Sequence, residues 1–130
     1  MNTELKTAWF IDDDEEMIQA ITLMMDLLGY QVTPFLNAPK AAEALQAGER
    51  PELILLDINM PQVSGIDLLE YIRTKLKLAD LPIIMLSAEF TDVQVDQAYE
   101  LGADAYIFKP VSIEELQTAI ETAVGKQGNI

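Results

Sequence analysis

Cysteine and histidine are both missing from the 130 residues. Without cysteine there is no disulfide and no thiolate metal site, and without histidine the commonest neutral-pH base and nitrogen ligand for metals is gone. Bases are scarce as well. Eight lysines and arginines stand against 22 aspartates and glutamates, and the net charge of −14 sets up a field that repels nucleic acid and anionic lipid while favouring cations and basic partner surfaces. Direct nucleic-acid binding is therefore not expected. No apolar run approaches the ~18 residues of a membrane span, and Met1 to Lys6 lack the pattern of a secretory signal, so no membrane association is expected and the cytoplasm is the default location. Internal repeats, low-complexity tracts and linkers are absent too.

What is present is a core. Half of the residues are apolar, enough for one domain over residues 1–130 with its core from about residue 7 to about residue 125. The chain is organised around Leu53-Ile54-Leu55-Leu56-Asp57, an apolar run that ends on an acid and is followed by Pro61 and Gly65. Such a run reads as a strand buried on both faces. Ala8 to Ile11, Gln31 to Phe35, Ile83 to Leu86 and Ala105 to Phe108 read as four more strands, the second polar enough for a sheet edge.

Helical spacing fills the gaps. Met17, Ile18, Ile21, Met24, Met25 and Leu28 form one apolar face, preceded by acids that suit the positive end of a helix dipole and stopped by Gly29. Asn37 caps a helix from Ala38 to Ala47, with Pro39 tolerated in its first turn. Leu68, Leu69, Ile72 and Leu76 mark a third helix, and Asp92 to Leu101 a weaker fourth, closed by Gly102. Ser112-x-x-Glu115 fits a capping box for the last, whose apolar face is Ile113, Leu116, Ile120 and Val124. Five strands alternating with five helices predict an α/β, doubly wound, five-stranded parallel sheet of order 2-1-3-4-5, a (βα)5 three-layer sandwich.

That order places a site. Parallel strands share one carboxyl edge, where ligands bind beside the topological switch point, so Asp12, Asp13 and Asp57 meet in one crevice with Ser87 and Lys109 at its rim. Carboxylates about 5 Å apart repel by roughly 3 kcal/mol per pair at an effective dielectric near 20. Lys109 offsets part of this, and a hard divalent ion with oxygen ligands, such as Mg²⁺, offsets the rest. A calcium loop beginning at Asp12 is excluded because Met17 stands where glycine is needed.

Ile11-Asp12-Asp13, Leu56-Asp57-Ile58-Asn59-Met60-Pro61 with Gly65, Leu86-Ser87-Ala88 and Phe108-Lys109-Pro110 together resemble the receiver domains of two-component response regulators, in the family's order and spacing over nearly the whole chain. The resemblance implies a flavodoxin-like fold and a signalling phosphoacceptor rather than a conventional enzyme, with self-catalysed phosphotransfer and autodephosphorylation. It makes Asp57 the phosphoacceptor, supplied by a sensor histidine kinase, a phosphotransfer protein or a small phosphodonor. Asp13, Asp57 and the backbone carbonyl of Asn59 would hold Mg²⁺, with Asp12 acting largely through water. Ser87 would donate a hydrogen bond to the phosphoryl group. Lys109 would pair with Asp57 before phosphorylation and with a phosphoryl oxygen after it, and the bond before Pro110 would be cis.

The resemblance also implies that Ser87 and Tyr106 move together as a switch, read by a downstream effector or a second copy of the chain at the face of the fourth helix, fifth strand and last helix. Asn59 and Glu89, which would border the approach of water to the phosphoryl group, resemble the chemotaxis branch. A competing resemblance, to aspartate-nucleophile phosphatases through Asp12-x-Asp14, fails at Glu15-Glu16, where threonine or valine is expected. A receiver used only as a binding module is disfavoured, because every expected site residue is present.

Overall fold

The structure, a computed structural model, describes residues 6–88 and 91–128, with side chains described as far as Gly125. The strands are β1 (Lys6–Ile11), β2 (Tyr30–Phe35), β3 (Leu53–Asp57), β4 (Ile83–Ser87) and β5 (Ala105–Phe108), and the helices α1 (Glu15–Leu27), α2 (Ala38–Gln46), α3 (Gly65–Glu70), α4 (Asp92–Glu100) and α5 (Ile113–Gly128). The strands pair in parallel in the order β2-β1-β3-β4-β5, as the alternation predicts. β1 and β2 each start earlier than their apolar runs, because Lys6 pairs with Tyr30 and Thr7 with Gln31.

Strand periodicity divides the core between the two faces of the sheet. Trp9, Ile11, Ile54, Leu56, Ile83 and Met85 point to the side covered by α2, α3 and α4. Ala8, Phe10, Leu53, Leu55, Ile84 and Leu86 point to the side covered by α1 and α5. Three layers result, and β3 at the centre is buried along its whole length. β2 lies at the edge, half exposed, where Pro34 costs no ladder bond needed by a further strand. No helix among the described residues is long and apolar enough to cross a membrane.

The caps follow local chemistry. The Asp14 carboxylate accepts from the backbone N–H groups of Glu16 and Met17 at 3.0 and 3.3 Å, and Asn37 Oδ1 accepts from Lys40 N–H at 2.9 Å. Ser112 and Glu115 form the expected reciprocal box at 3.1 and 3.2 Å. One element departs from its pattern. After six residues α3 widens into a π-helical turn, Tyr71–Lys75, in which Leu76 N–H donates to the Tyr71 carbonyl at 3.1 Å.

That turn carries Arg73, which is nearly buried and bonds the carbonyls of Leu78, Leu81 and Gly102 and, at 3.0 Å, the carboxylate of Asp104. Asp104 in turn accepts from Ile83 N–H at 2.9 Å. A single guanidinium thus ties the end of the third helix to the start of β4 and the end of α4. Its planar fork suits this work, since five N–H donors lie in fixed directions.

Candidate functional site

Register alone brings the acids together. Ile11 of β1 pairs with Leu56 of β3, so the residues that follow, Asp12 and Asp57, leave neighbouring strand ends side by side. Asp13 completes a group in which one carboxylate oxygen from each residue lies within 4.8 Å of the others. Asp12 and Asp57 are buried, at 1% and 2% exposure, while Asp13 is exposed. The expected crevice is therefore open to solvent on the Asp13 side.

Gly65 controls how closely the loop after β3 returns to it. A Cβ on Gly65 would stand 2.2 Å from the Asp57 carbonyl oxygen, well inside contact distance. Gly65 N–H donates to the Ile58 carbonyl at 3.0 Å, and α3 begins at once, capped by Ser64 and Asp67. Glycine here is a steric requirement for close backbone approach, beyond its role as a turn residue.

From the other side of β3 comes the cation. Lys109, directly after β5, donates from Nζ to Asp57 Oδ1 at 2.7 Å and lies 3.5 Å from Asp12 Oδ2. Its backbone N–H is held by the Ser87 carbonyl at 2.8 Å, and the Lys109-Pro110 peptide is cis, as the resemblance implied. One ammonium cannot satisfy three carboxylates. Asp12 Oδ2, though buried, accepts no hydrogen bond among the described residues and has only the long ion pair with Lys109.

Electrostatics record the imbalance. The Asp57 carboxyl is raised from 3.8 to about 6, chiefly by burial; the Lys109 hydrogen bond and charge oppose the rise, and the charges of Asp12 and Asp13 add to it. Asp12 is raised as well, chiefly by burial. Burial depresses the Lys109 ammonium, but the hydrogen bond and charge of Asp57, with Asp12 behind them, outweigh it and leave the group above its ordinary value. A site so short of positive charge, offering hard carboxylate oxygens and one of them without a hydrogen bond among the described residues, fits Mg²⁺.

Ser87 lies fully buried at the end of β4, one residue beyond the pairing of Asp57 with Leu86. Its hydroxyl accepts from Asn59 Nδ2 at 3.4 Å and from Gln94 Nε2 at 3.1 Å. Gln94 Nε2 also donates to the Tyr106 hydroxyl at 2.9 Å. Tyr106 is half-buried, its ring 5.2 Å from that of Phe108. The expected site residues thus fall into one acidic pocket and one adjoining polar chain. Asn59 joins the polar chain and is exposed; Glu89 lies outside the described residues.

Sequence reasoning passed over Gln94, Arg73 and Asp104. A glutamine three residues into a helix and an ion pair 31 residues apart carry no local pattern, and only the packing of separate elements reveals them.

The family model of the response regulator receiver domain matches residues 9–121. The phosphate regulon transcriptional regulatory protein PhoB of Pseudomonas aeruginosa is 33% identical over 95% of this chain and 53% of its own length. Chemotaxis protein CheY1 of Helicobacter pylori is 30% identical over 88% of this chain and 94% of its own. The chain therefore spans about half the length of PhoB, and of other regulators that it matches, but nearly all of CheY1. Among solved structures, a CheY-like response regulator receiver domain protein from Methanospirillum hungatei superposes with a TM-score of 0.84 at 28% identity, covering 95% of this chain and 97% of the other.

Proposed function

The chain belongs to the response regulator receiver domain family, and on that premise we propose a division of labour among its residues. The domain is a phosphoacceptor, and its acidic cluster of Asp12, Asp13 and Asp57 is suited to Mg²⁺-dependent phosphotransfer to Asp57. The observation that carries the reading is the buried Asp57 carboxylate, bonded to Lys109 at 2.7 Å and faced by two further acids.

The Asp57 carboxylate attacks phosphorus. An O–P bond forms while the donor's P–N bond, in a phosphohistidine, or P–O bond, in an acyl phosphate, breaks and its electron pair leaves with the donor. The nucleophile is already ionised above about pH 6, so no base is required and the missing histidine is no obstacle. Asp13, Asp57 and the Asn59 carbonyl would hold Mg²⁺, with Asp12 acting through water, and the bound ion supplies positive charge at the phosphoryl oxygens. Lys109 exchanges its carboxylate partner for a phosphoryl oxygen. Ser87 donates its hydroxyl proton to another, and both groups act on charge spread over peripheral oxygens.

Receiver domains take their phosphoryl group from sensor histidine kinases or phosphotransfer proteins, and such a donor is the proposed upstream partner here. The proposed output surface is the face of α4, β5 and α5. A cleft of about 410 Å³ lies there, with Tyr99, Tyr106, Phe108, Glu115 and Ala119 in its walls, adjoining the Ser87 chain through Tyr106. A downstream effector or a second copy of the domain would read it.

Incubation with acetyl phosphate and Mg²⁺, followed by intact mass measurement, is expected to show one added phosphate. Asp57→Asn or chelation of the metal should abolish it. Wild-type levels of phosphate on the Asp57→Asn chain would overturn the assignment.

A further inference from the structure

Ser87 and Tyr106 do not simply adjoin each other; one side chain is bonded to both. Gln94 sits in the first turn of α4, where Thr91 Oγ1 accepts from its backbone N–H at 3.3 Å. Its backbone is thus anchored, and its amide reaches back toward the sheet edge. A primary amide nitrogen carries two protons. One is directed to Ser87 Oγ at 3.1 Å and the other to the Tyr106 hydroxyl at 2.9 Å.

We propose that Gln94 is a positioning residue that clasps Ser87 and Tyr106 in the unphosphorylated arrangement and so sets how readily the site accepts a phosphoryl group at Asp57. The inference rests on the phosphoacceptor reading above. In the arrangement described, Ser87 Oγ receives a hydrogen bond from Gln94. To donate to a phosphoryl oxygen, the hydroxyl must turn and advance toward Asp57, which stretches the 3.1 Å contact. The clasp is therefore stronger before phosphorylation than after, and an interaction of unequal strength in two states biases the equilibrium between them.

Tyr106 feels the same change. While Ser87 is held, both amide protons are engaged and the phenol is tied to α4. Once Ser87 leaves, the amide is free to follow Tyr106, and the link it makes from the start of α4 to the end of β4 is given up. Meanwhile Arg73 keeps the other end of the helix fixed, by donating Nε and Nη2 to the Gly102 carbonyl at 3.0 and 2.8 Å. The geometry makes α4 a helix tied at its C-terminal end by Arg73 and, through the Gln94 amide at its N-terminal end, to Ser87 and Tyr106.

The test is the binding of beryllofluoride, a phosphoryl mimic, measured calorimetrically on the full chain in saturating Mg²⁺, with Mg²⁺ affinity measured alone in parallel. Gln94→Leu keeps the apolar stem and removes the amide; Gln94→Ala removes both. Each is expected to tighten mimic binding by about two- to tenfold, the range that one net hydrogen bond allows, with Mg²⁺ affinity unchanged. The gain from Gln94→Leu should shrink by at least about half in a Tyr106→Phe background, because contacts that share a partner are not additive.

Unchanged or weaker mimic binding in both Gln94 variants would overturn the proposal. So would a matching shift in Mg²⁺ affinity, or a gain of the same size in the Tyr106→Phe background. A wild-type chain that binds no beryllofluoride, or a chain carrying Asp57→Asn that binds it equally well, would overturn the phosphoacceptor reading and Gln94's place in it together.

Discussion

Asp57→Asn should stabilise the metal-free protein at neutral pH, although it removes a 2.7 Å ion pair with Lys109. The folded protein holds the Asp57 proton up to about pH 6, whereas the ordinary value is 3.8. Between those values the native state binds more protons than the unfolded chain, so stability falls as pH rises through the window and stays low above it. At about 1.4 kcal/mol per unit, the distance from 3.8 to about 6 corresponds to roughly 3 kcal/mol. That figure already includes the favourable Lys109 contact, because the same contact acts on the titration. Asparagine mimics the neutral carboxyl and escapes the cost of the buried charge.

Urea unfolding in a chelator, followed through the buried Trp9, measures the effect directly. The advantage of the variant should roughly double between pH 5 and pH 7.5, reaching about 3 kcal/mol at the higher pH. Saturating Mg²⁺ should then narrow or reverse the gap, since a ligand at 100 times its Kd adds about 2.7 kcal/mol to the state that binds it, and the variant has lost a ligand. An asparagine variant less stable than wild type at neutral pH in chelator, or an advantage independent of pH, would refute the reasoning.

Other consequences are as direct. Gly65→Ala forces a methyl group to within 2.2 Å of the Asp57 carbonyl oxygen; a loss of about 1–3 kcal/mol is expected from such overpacking, with slower phosphate uptake from acetyl phosphate, and wild-type values of both would show that the loop yields freely. Arg73→Ala takes the cation from the carboxylate of Asp104 and a donor from three carbonyls, and removing one partner of a buried pair costs about 3–5 kcal/mol, measurable as a lower urea midpoint; a change no larger than at an exposed arginine such as Arg50 would contradict it. Asn59 is exposed beside Asp57, and a small polar side chain there leaves room for water, so the phosphorylated chain should lose its phosphate within seconds to minutes; phosphate retained for hours at neutral pH with Mg²⁺ would count against that. Tyr106→Ala should weaken phosphorylation-dependent partner binding or self-association without preventing phosphate uptake, and equal binding by the variant would exclude Tyr106 as the readout.

Much of this protein is local in origin. The run Leu53 to Asp57, the apolar spacing from Met17 to Leu28 and the caps at Asn37 and Ser112 each depend on residues a few positions apart, so strands, helices and their alternation were determined by the sequence. Alternation restricted the sheet to a parallel order, and that order placed Asp12, Asp13, Asp57, Ser87 and Lys109 on one edge. What tertiary structure alone decided was the reach of side chains between elements. The π-helical turn at Tyr71–Lys75 lies in a pattern that reads as an ordinary helix, and it carries the Arg73 that bonds Asp104 from 31 residues away. Gly65 reads as a turn residue until its Cβ is placed against the Asp57 carbonyl. Gln94 reads as a polar residue on a weak helix until the rotation of α4 aims its amide between Ser87 and Tyr106. Period and capping are properties of neighbouring residues, whereas burial, the raised Asp57 carboxyl and the Gln94 clasp depend on distances that exist only after the layers have packed.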